Sequence, residues 1–157
     1  PVRLASCRSG CARWRVCGFI HLGMGAVSNC AGRRYLAFSG YTDPASRDGV
    51  HRLVRECVEK VNADLACEPE IANSQIQHFI ILHKELDADD GELTRTRKVR
   101  RGFIAEKYAL LIDALYGGKK ECYIETQVRF EDGRTGMISA TLKVLDAQTS
   151  TVLAKAA

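Results

Sequence analysis

The residues whose types and spacing best suit chemistry lie in one stretch, Asp89–Arg101 (DDGELTRTRKVRR). Asp87, Asp89, Asp90 and Glu92 place four acids in six positions; Arg95, Arg97, Lys98, Arg100 and Arg101 then place five cations in seven. Three behaviours fit such a run. A loop this charged can simply be solvated. Clustered guanidinium and ammonium groups also attract phosphate, which would make it a nucleic-acid patch. Against that, the acids are adjacent and no aromatic residue lies between Glu85 and Arg101. The third behaviour is delivery of one lysine to an anionic centre. Its flexible stem carries a compact point charge that suits a phosphate or a developing oxyanion.

Other constellations are weaker. The chain has seven cysteines, an odd number at irregular spacing, and no C-x-x-C. Cys7, Cys11 and Cys17 with His21 or Cys30 is the conceivable zinc set, but structural zinc ligands usually come in tight pairs. Reduced thiols in a cytosolic chain are the simpler reading. His78 and His83 are five apart, not the i,i+4 pair of a metal-binding helix, and read as polar punctuation of a strand. The glycines of GMG at 23–25 are too close together for a phosphate cradle, and Ser39-Gly40 lacks a nucleophile-elbow context.

The elements that must position Asp89–Arg101 follow from hydrophobic period. Val16–Leu22 reads as a short apolar strand and Met24–Arg34 as a weak helix. Ser39–Asp43 is a loop closed by Pro44. In Val50–Ala66, Val50, Leu53, Val54, Cys57, Val58, Val61 and Leu65 form one helical stripe, with Arg52, Arg55, Glu56, Glu59 and Lys60 opposite. Ile76–His83 reads as a strand, and Glu85–Glu92 as a polar loop with its turn at Asp90-Gly91. Ile104, Tyr108, Leu111, Ile112 and Leu115 mark a second helix, stopped by Gly117-Gly118. Cys122, Ile124, Thr126, Val128 and Phe130 alternate with polar residues. After a turn at Asp132-Gly133 the period of two resumes at Ile138, Ala140, Leu142 and Val144, a β-hairpin. The order predicts a small α+β domain: a short sheet packed with two main helices, plus a C-terminal hairpin.

Composition narrows the class. At 157 residues, 46% hydrophobic and 27% charged, the chain suits one globular domain and not wholesale disorder. No apolar run reaches membrane-span length, so no transmembrane segment is expected. The net charge of +4 conceals a split. Residues 1–42 carry Arg3, Arg8, Arg13, Arg15, Arg33 and Arg34 without one acid, while the remainder holds 17 basic residues against 19 acidic. The first 15 residues show neither helical nor strand period, and Val16–Gly25 is too interrupted for a secretory core. Residues 1–17 therefore read as a ragged extension, 18–117 as the main domain and 118–157 as the hairpin extension.

From Leu93 the chain resembles the small C-terminal domain of adenylate-forming enzymes, specifically the bacterial long-chain fatty acid–CoA ligases. That family shows an acidic-Gly segment, then Leu-Thr-x-Thr-x-Lys-x-x-Arg, then a helix ending in Leu-Tyr. Leu93, Thr94, Thr96, Lys98, Arg101, Tyr108, Leu115 and Tyr116 fill those positions. Upstream, Val61-Asn62, Phe79-Ile80 and Lys84-Glu85-Leu86 fit as well. The likeness covers about 18–146, with Cys30 and Gly32 standing where Trp and an acid are expected. Arg97 replaces the glycine that other branches carry before the lysine.

The resemblance implies a two-step ligase in which Lys98 is catalytic in adenylation, with Thr96 and Arg101 as substrate-binding neighbours. ATP with Mg²⁺, CoA and a fatty acid would be its reactants. The partner would be a large N-terminal AMP-binding domain, and the setting the cytoplasm, peripheral to the inner face of the cell membrane. On this reading the chain is inactive alone and binds no nucleic acid. The alternative is a free-standing interaction module whose basic loop 95–101 binds RNA or an acidic partner.

Overall fold

A computed structural model describes residues 3–6, 15–22, 48–129 and 135–150. The expected helix at Met24–Arg34, the loop Ser39–Asp43, the turn Asp132-Gly133 and Phe130 lie outside them. So do Cys7, Cys11, Cys30, the glycines of GMG and Ser39. The elements are β1 (Arg3–Ser6), β2 (Val16–His21), α1 (Asp48–Ala66), a 3-10 turn (Ala72–Ser74), β3 (Ile76–Ile81), α2 (Arg101–Lys107), α3 (Ala109–Tyr116), β4 (Glu121–Arg129) and β5 (Thr135–Asp146). The architecture is α+β. Contrary to the absence of period in the first 15 residues, β1 pairs antiparallel with β2 from Arg3↔His21 to Ser6↔Gly18.

The sheet runs β1-β2-β3-β5-β4. β2 and β3 are parallel, and α1 lies in the connection between them, as a parallel pair requires. β5 runs antiparallel to β3 over Val144–Asp146 and to β4 over nine residue pairs, from Glu121↔Lys143 to Arg129↔Thr135. The hairpin is thus part of the sheet.

The two central strands are buried on both faces, which is why Phe79-Ile80-Ile81-Leu82 is a continuous apolar run and does not alternate. Ile20, Phe79, Ile81 and Leu145 meet Val50, Val54 and Val58 of α1. On the opposite face, Phe19, Ile80 and Leu82 meet Ile104, Tyr108, Leu111 and Leu115, with Ile124 and Leu142 of the hairpin. Helices therefore cover both faces. None of the described helices is long and apolar enough to cross a membrane.

Two helix expectations are corrected. The buried edge of α1 is Val50, His51, Val54, Val58, Asn62 and Ala66, whereas Cys57 and Val61 are exposed. The stripe is rotated because Asn62 is the residue turned inward, fully buried against β3. Its side-chain amide donates to Ile76 O (2.8 Å) and Gln148 O (2.9 Å) and accepts from Ile76 N–H (2.8 Å). The second predicted helix is two, α2 and α3, hinged at Tyr108 (φ −108°, ψ 25°). The bend falls where Tyr108 is held from two sides: its ring packs 6.0 Å from Phe19 and its hydroxyl donates to Glu92. The stripe survives the bend, since all five of its residues remain buried.

Asn62 joins α1, the start of β3 and the segment after β5 from a fully buried position. Asn62→Ala should therefore cost about 2–4 kcal/mol, because orphaning buried backbone groups costs roughly 1–3 kcal/mol each. Urea unfolding measures this; a loss below about 1 kcal/mol would show that the site relaxes and solvates.

Candidate functional site

The acidic-then-basic stretch forms one compact structure. β3 ends at Ile81, and the chain continues inward through Leu82, His83 and Lys84, all buried. The expected strand end at His83 is thus two residues late. The loop then folds on itself. Asp87 O accepts the amides of Glu92 (3.0 Å) and Leu93 (3.1 Å), and Gly91 takes a left-handed φ of 74°.

From Glu92 the chain makes a miniature hairpin. Arg100 N–H donates to Glu92 O (2.9 Å), Leu93 bridges Val99, and Thr94 N–H donates to Lys98 O (2.8 Å). Arg97 N–H closes the tip on Thr94 O at 2.8 Å. Residues 95–97 form the three-residue loop whose last member adopts a left-handed conformation, the place usually given to glycine. Here Arg97 holds φ 57°. Thr94 reinforces the turn, its Oγ1 accepting Lys98 N–H (3.0 Å) and lying 3.0 Å from Thr96 Oγ1.

Lys98 is exposed just past the tip, and among the described residues its ammonium has no hydrogen-bond or ion-pair partner. Thr96 shares its turn. Arg101 is exposed at the first position of α2, and no hydrogen bond or ion pair joins it to either. Arg100 lies over the Phe103 ring at 5.4 Å and donates to Gly91 O at 3.1 Å, so it braces the loop.

Beneath this turn, where the sequence pattern predicts a plain polar loop over Glu85–Glu92, lies a buried charge cluster. Glu92 has no exposed surface. Its Oε2 accepts from Lys84 Nζ (2.6 Å) and Asp87 N–H (3.0 Å). Its Oε1 accepts from Tyr108 OH (2.7 Å) and pairs with Lys107 Nζ at 2.9 Å. Asp90 pairs with Lys84 at 2.6 Å and lies 4.0 Å from Lys107. Two carboxylates thus face two ammonium groups. Burial pushes the Glu92 carboxyl up, but the hydrogen bonds from Lys84, Lys107, Tyr108 and the Asp87 amide outweigh it and hold the group below its usual 4.5. The signal available in sequence was a lysine ending an apolar run and a Lys-Tyr pair inside a helical stripe.

His83 is 1% exposed, and neither ring nitrogen has a partner among the described residues. It is a core residue, not strand punctuation. Burial first, then the Lys84 and Lys107 charges against the pull of Glu92, lowers it from 6.5 to about 4. His78 is separate, its Nδ1 lying 2.7 Å from Asp146.

An open cleft of about 440 Å³ lies between Asp90, Phe103 and Lys107 on one wall and Glu125, Thr126 and Gln127 of β4 on the other; Lys98 does not line it. Among the described residues no group of three or more His, Cys, Asp or Glu could hold a metal ion, and no disulfide joins Cys17, Cys57, Cys67 or Cys122 to one another.

The two shifted groups act in different pH windows. The unfolded chain binds a proton at His83 below about 6.5 and the folded chain below about 4, so stability falls as pH drops between these values. Glu92, depressed in the folded state, contributes stability above 4.5 that is lost as pH falls through its lowered value. Urea midpoints across this range should show both losses. His83→Leu should flatten the upper one and leave the lower; an unchanged upper slope would remove His83 as its cause.

Comparison with known proteins finds partial similarity. The chain is 32% identical over 74 residues to the long-chain-fatty-acid–CoA ligase ACSBG1 of Rattus norvegicus, and equally to that of Mus musculus. It is 33% identical over 73 residues to the Bos taurus protein. The rat and mouse alignments take in 47% of this chain and the bovine one 46%. The chain spans about a tenth of the length of these curated relatives. These matches are mammalian, whereas the resemblance drawn from the sequence was to bacterial members. No family model and no solved structure matches.

Proposed function

We propose that this chain is the lysine-bearing lid of an ATP-dependent long-chain fatty acid–CoA ligase and is inactive without the large AMP-binding domain. The carrying observation is Lys98. It stands on a tight, doubly bonded turn, exposed and without an ionic partner among the described residues, while Lys84 and Lys107 nearby are held by carboxylates. The partial likeness to long-chain fatty acid–CoA ligases supports the same reading.

In the reaction, a fatty acid carboxylate oxygen attacks the α-phosphorus of ATP, pyrophosphate leaves, and acyl-AMP forms. The CoA thiol, losing its proton, then attacks the acyl carbon and AMP leaves. Charge gathers on phosphate and carboxylate oxygens in the first step, and a cation on a pre-set turn stabilises it without reorganising. Thr96, beside it, is a hydroxyl donor for the same anion, and Arg101 a second cation. Both suit anionic reactants. Asp90 and Glu92 are occupied by lysines, so Mg²⁺ accompanying ATP would take its oxygen ligands elsewhere. The large domain would supply the acyl, adenine and CoA contacts, in a cytoplasmic enzyme lying against the inner face of the membrane.

In the longer protein, Lys98→Ala should slow adenylation, read as ATP–pyrophosphate exchange, by about a hundredfold or more. Thioester formation from supplied acyl-AMP should be spared. Equal losses in both half-reactions would sink the assignment, as would exchange activity in this chain alone. Tight RNA binding with a steep salt dependence would favour the interaction-module reading instead.

A further inference from the structure

The hairpin that carries Lys98 is too small to hold itself. It has one bridge, Leu93↔Val99, and a left-handed arginine at its tip. Left-handed backbone costs a non-glycine residue about 1–2 kcal/mol, and an isolated two-stranded hairpin is marginal in water. Something outside the turn must keep it closed.

Glu92 is the residue at its base. Its carbonyl accepts the Arg100 amide, the outermost bond of the hairpin, and its amide is fixed on Asp87 O. Its side chain is saturated at both oxygens by Lys84, Asp87 N–H, Lys107 and Tyr108. These donors come from the end of β3, from the loop and from the α2–α3 bend, so one carboxylate ties three segments together. To move the first strand of the hairpin, the main chain would have to drag a buried, fully engaged anion.

We infer that Glu92 is a positioning residue that locks the Lys98 turn in one conformation from below. The purpose of that lock rests on the adenylation reading above; the lock itself does not. Glu92→Gln keeps the shape and removes the charge. Tyr108→Phe removes one donor and leaves the ring packing in place.

The test is backbone ¹⁵N relaxation on the full chain, which reads mobility within the folded state and not overall stability. In Glu92→Gln, order parameters at residues 94–100 should drop from the rigid level of about 0.85 to below about 0.6. Those of α1 and β3 should stay rigid. Tyr108→Phe should loosen the same residues less, and it decides the question alone if Glu92→Gln does not fold. A turn that stays rigid in every variant that folds, or mobility that spreads equally through α1 and β3, overturns the inference.

In the longer protein, Glu92→Gln should lower the adenylation kcat about ten- to a hundredfold, the scale of misplacing a catalytic group, with KM for ATP little changed. If Lys98→Ala leaves adenylation intact, the ligase reading falls while the order parameters still judge Glu92.

Discussion

A carboxylate with no exposed surface is the constraint around which this half of the molecule is arranged. Transferring an ion out of water costs several kcal/mol even after relaxation, and only close opposite charge with saturated hydrogen bonds recovers it. Glu92 obtains both, from Lys84, Lys107, Tyr108 and the Asp87 amide. Meeting that demand fixes several things at once. Lys84 must turn inward as the chain leaves β3, Tyr108 must reach back across the face of the sheet, and the helical segment bends where it does so. Breaking one partner of such a cluster typically costs about 3–5 kcal/mol, because the remaining charges stay buried.

The opposite face of the sheet is organised differently. There Val50, Val54 and Val58 lie on Ile76, Phe79 and Ile81 without any charge. A polar specification comes from Asn62, which reads the β3 backbone and holds Gln148. Gln75 does the same one step along, exchanging bonds with Ser150 in both directions (2.9 and 2.7 Å). Two buried amides thus align the segment following β5 with the start of β3, where hydrophobic contact alone would allow sliding.

The regular part of this fold was legible because period reports burial. The apolar run at β3, the stripe of α1 and the alternation of β4 each follow from which side faces the core. The misses share one cause: a polar residue buried for a specific partner carries no period. His51 and Asn62 turned the stripe of α1, while Glu92, Asp90 and Lys84 made a packed cluster of what reads as solvated loop. The break at Tyr108 is likewise invisible to a pattern that continues through it. Lys98 and Thr96 were singled out by motif, and the turn they share is a local matter of hydrogen bonds. The brace beneath them is not local, since its members span residues 84–108.

Charge on this chain therefore has several uses, and count alone cannot separate them. Lys84 and Lys107 sit within 3 Å of carboxylate oxygens and serve to keep Glu92 ionised inside the protein. Arg100 lies on Phe103 and closes the loop on Gly91. Lys98, a few residues away, shares none of these ties and remains in water, where no described carboxylate pairs with it. The adjacency of acids and bases that argued against a nucleic-acid patch has a partly structural basis: Asp90 and Glu92 face the lysines of the cluster, Asp87 and Asp89 stay exposed, and no acid lies in the turn 95–98 itself. A site built this way separates the charges that fix geometry from exposed cations, Lys98 with Arg95 and Arg101 among them, that no described carboxylate pairs with. That separation is what a lid delivering a single lysine to a phosphate would require.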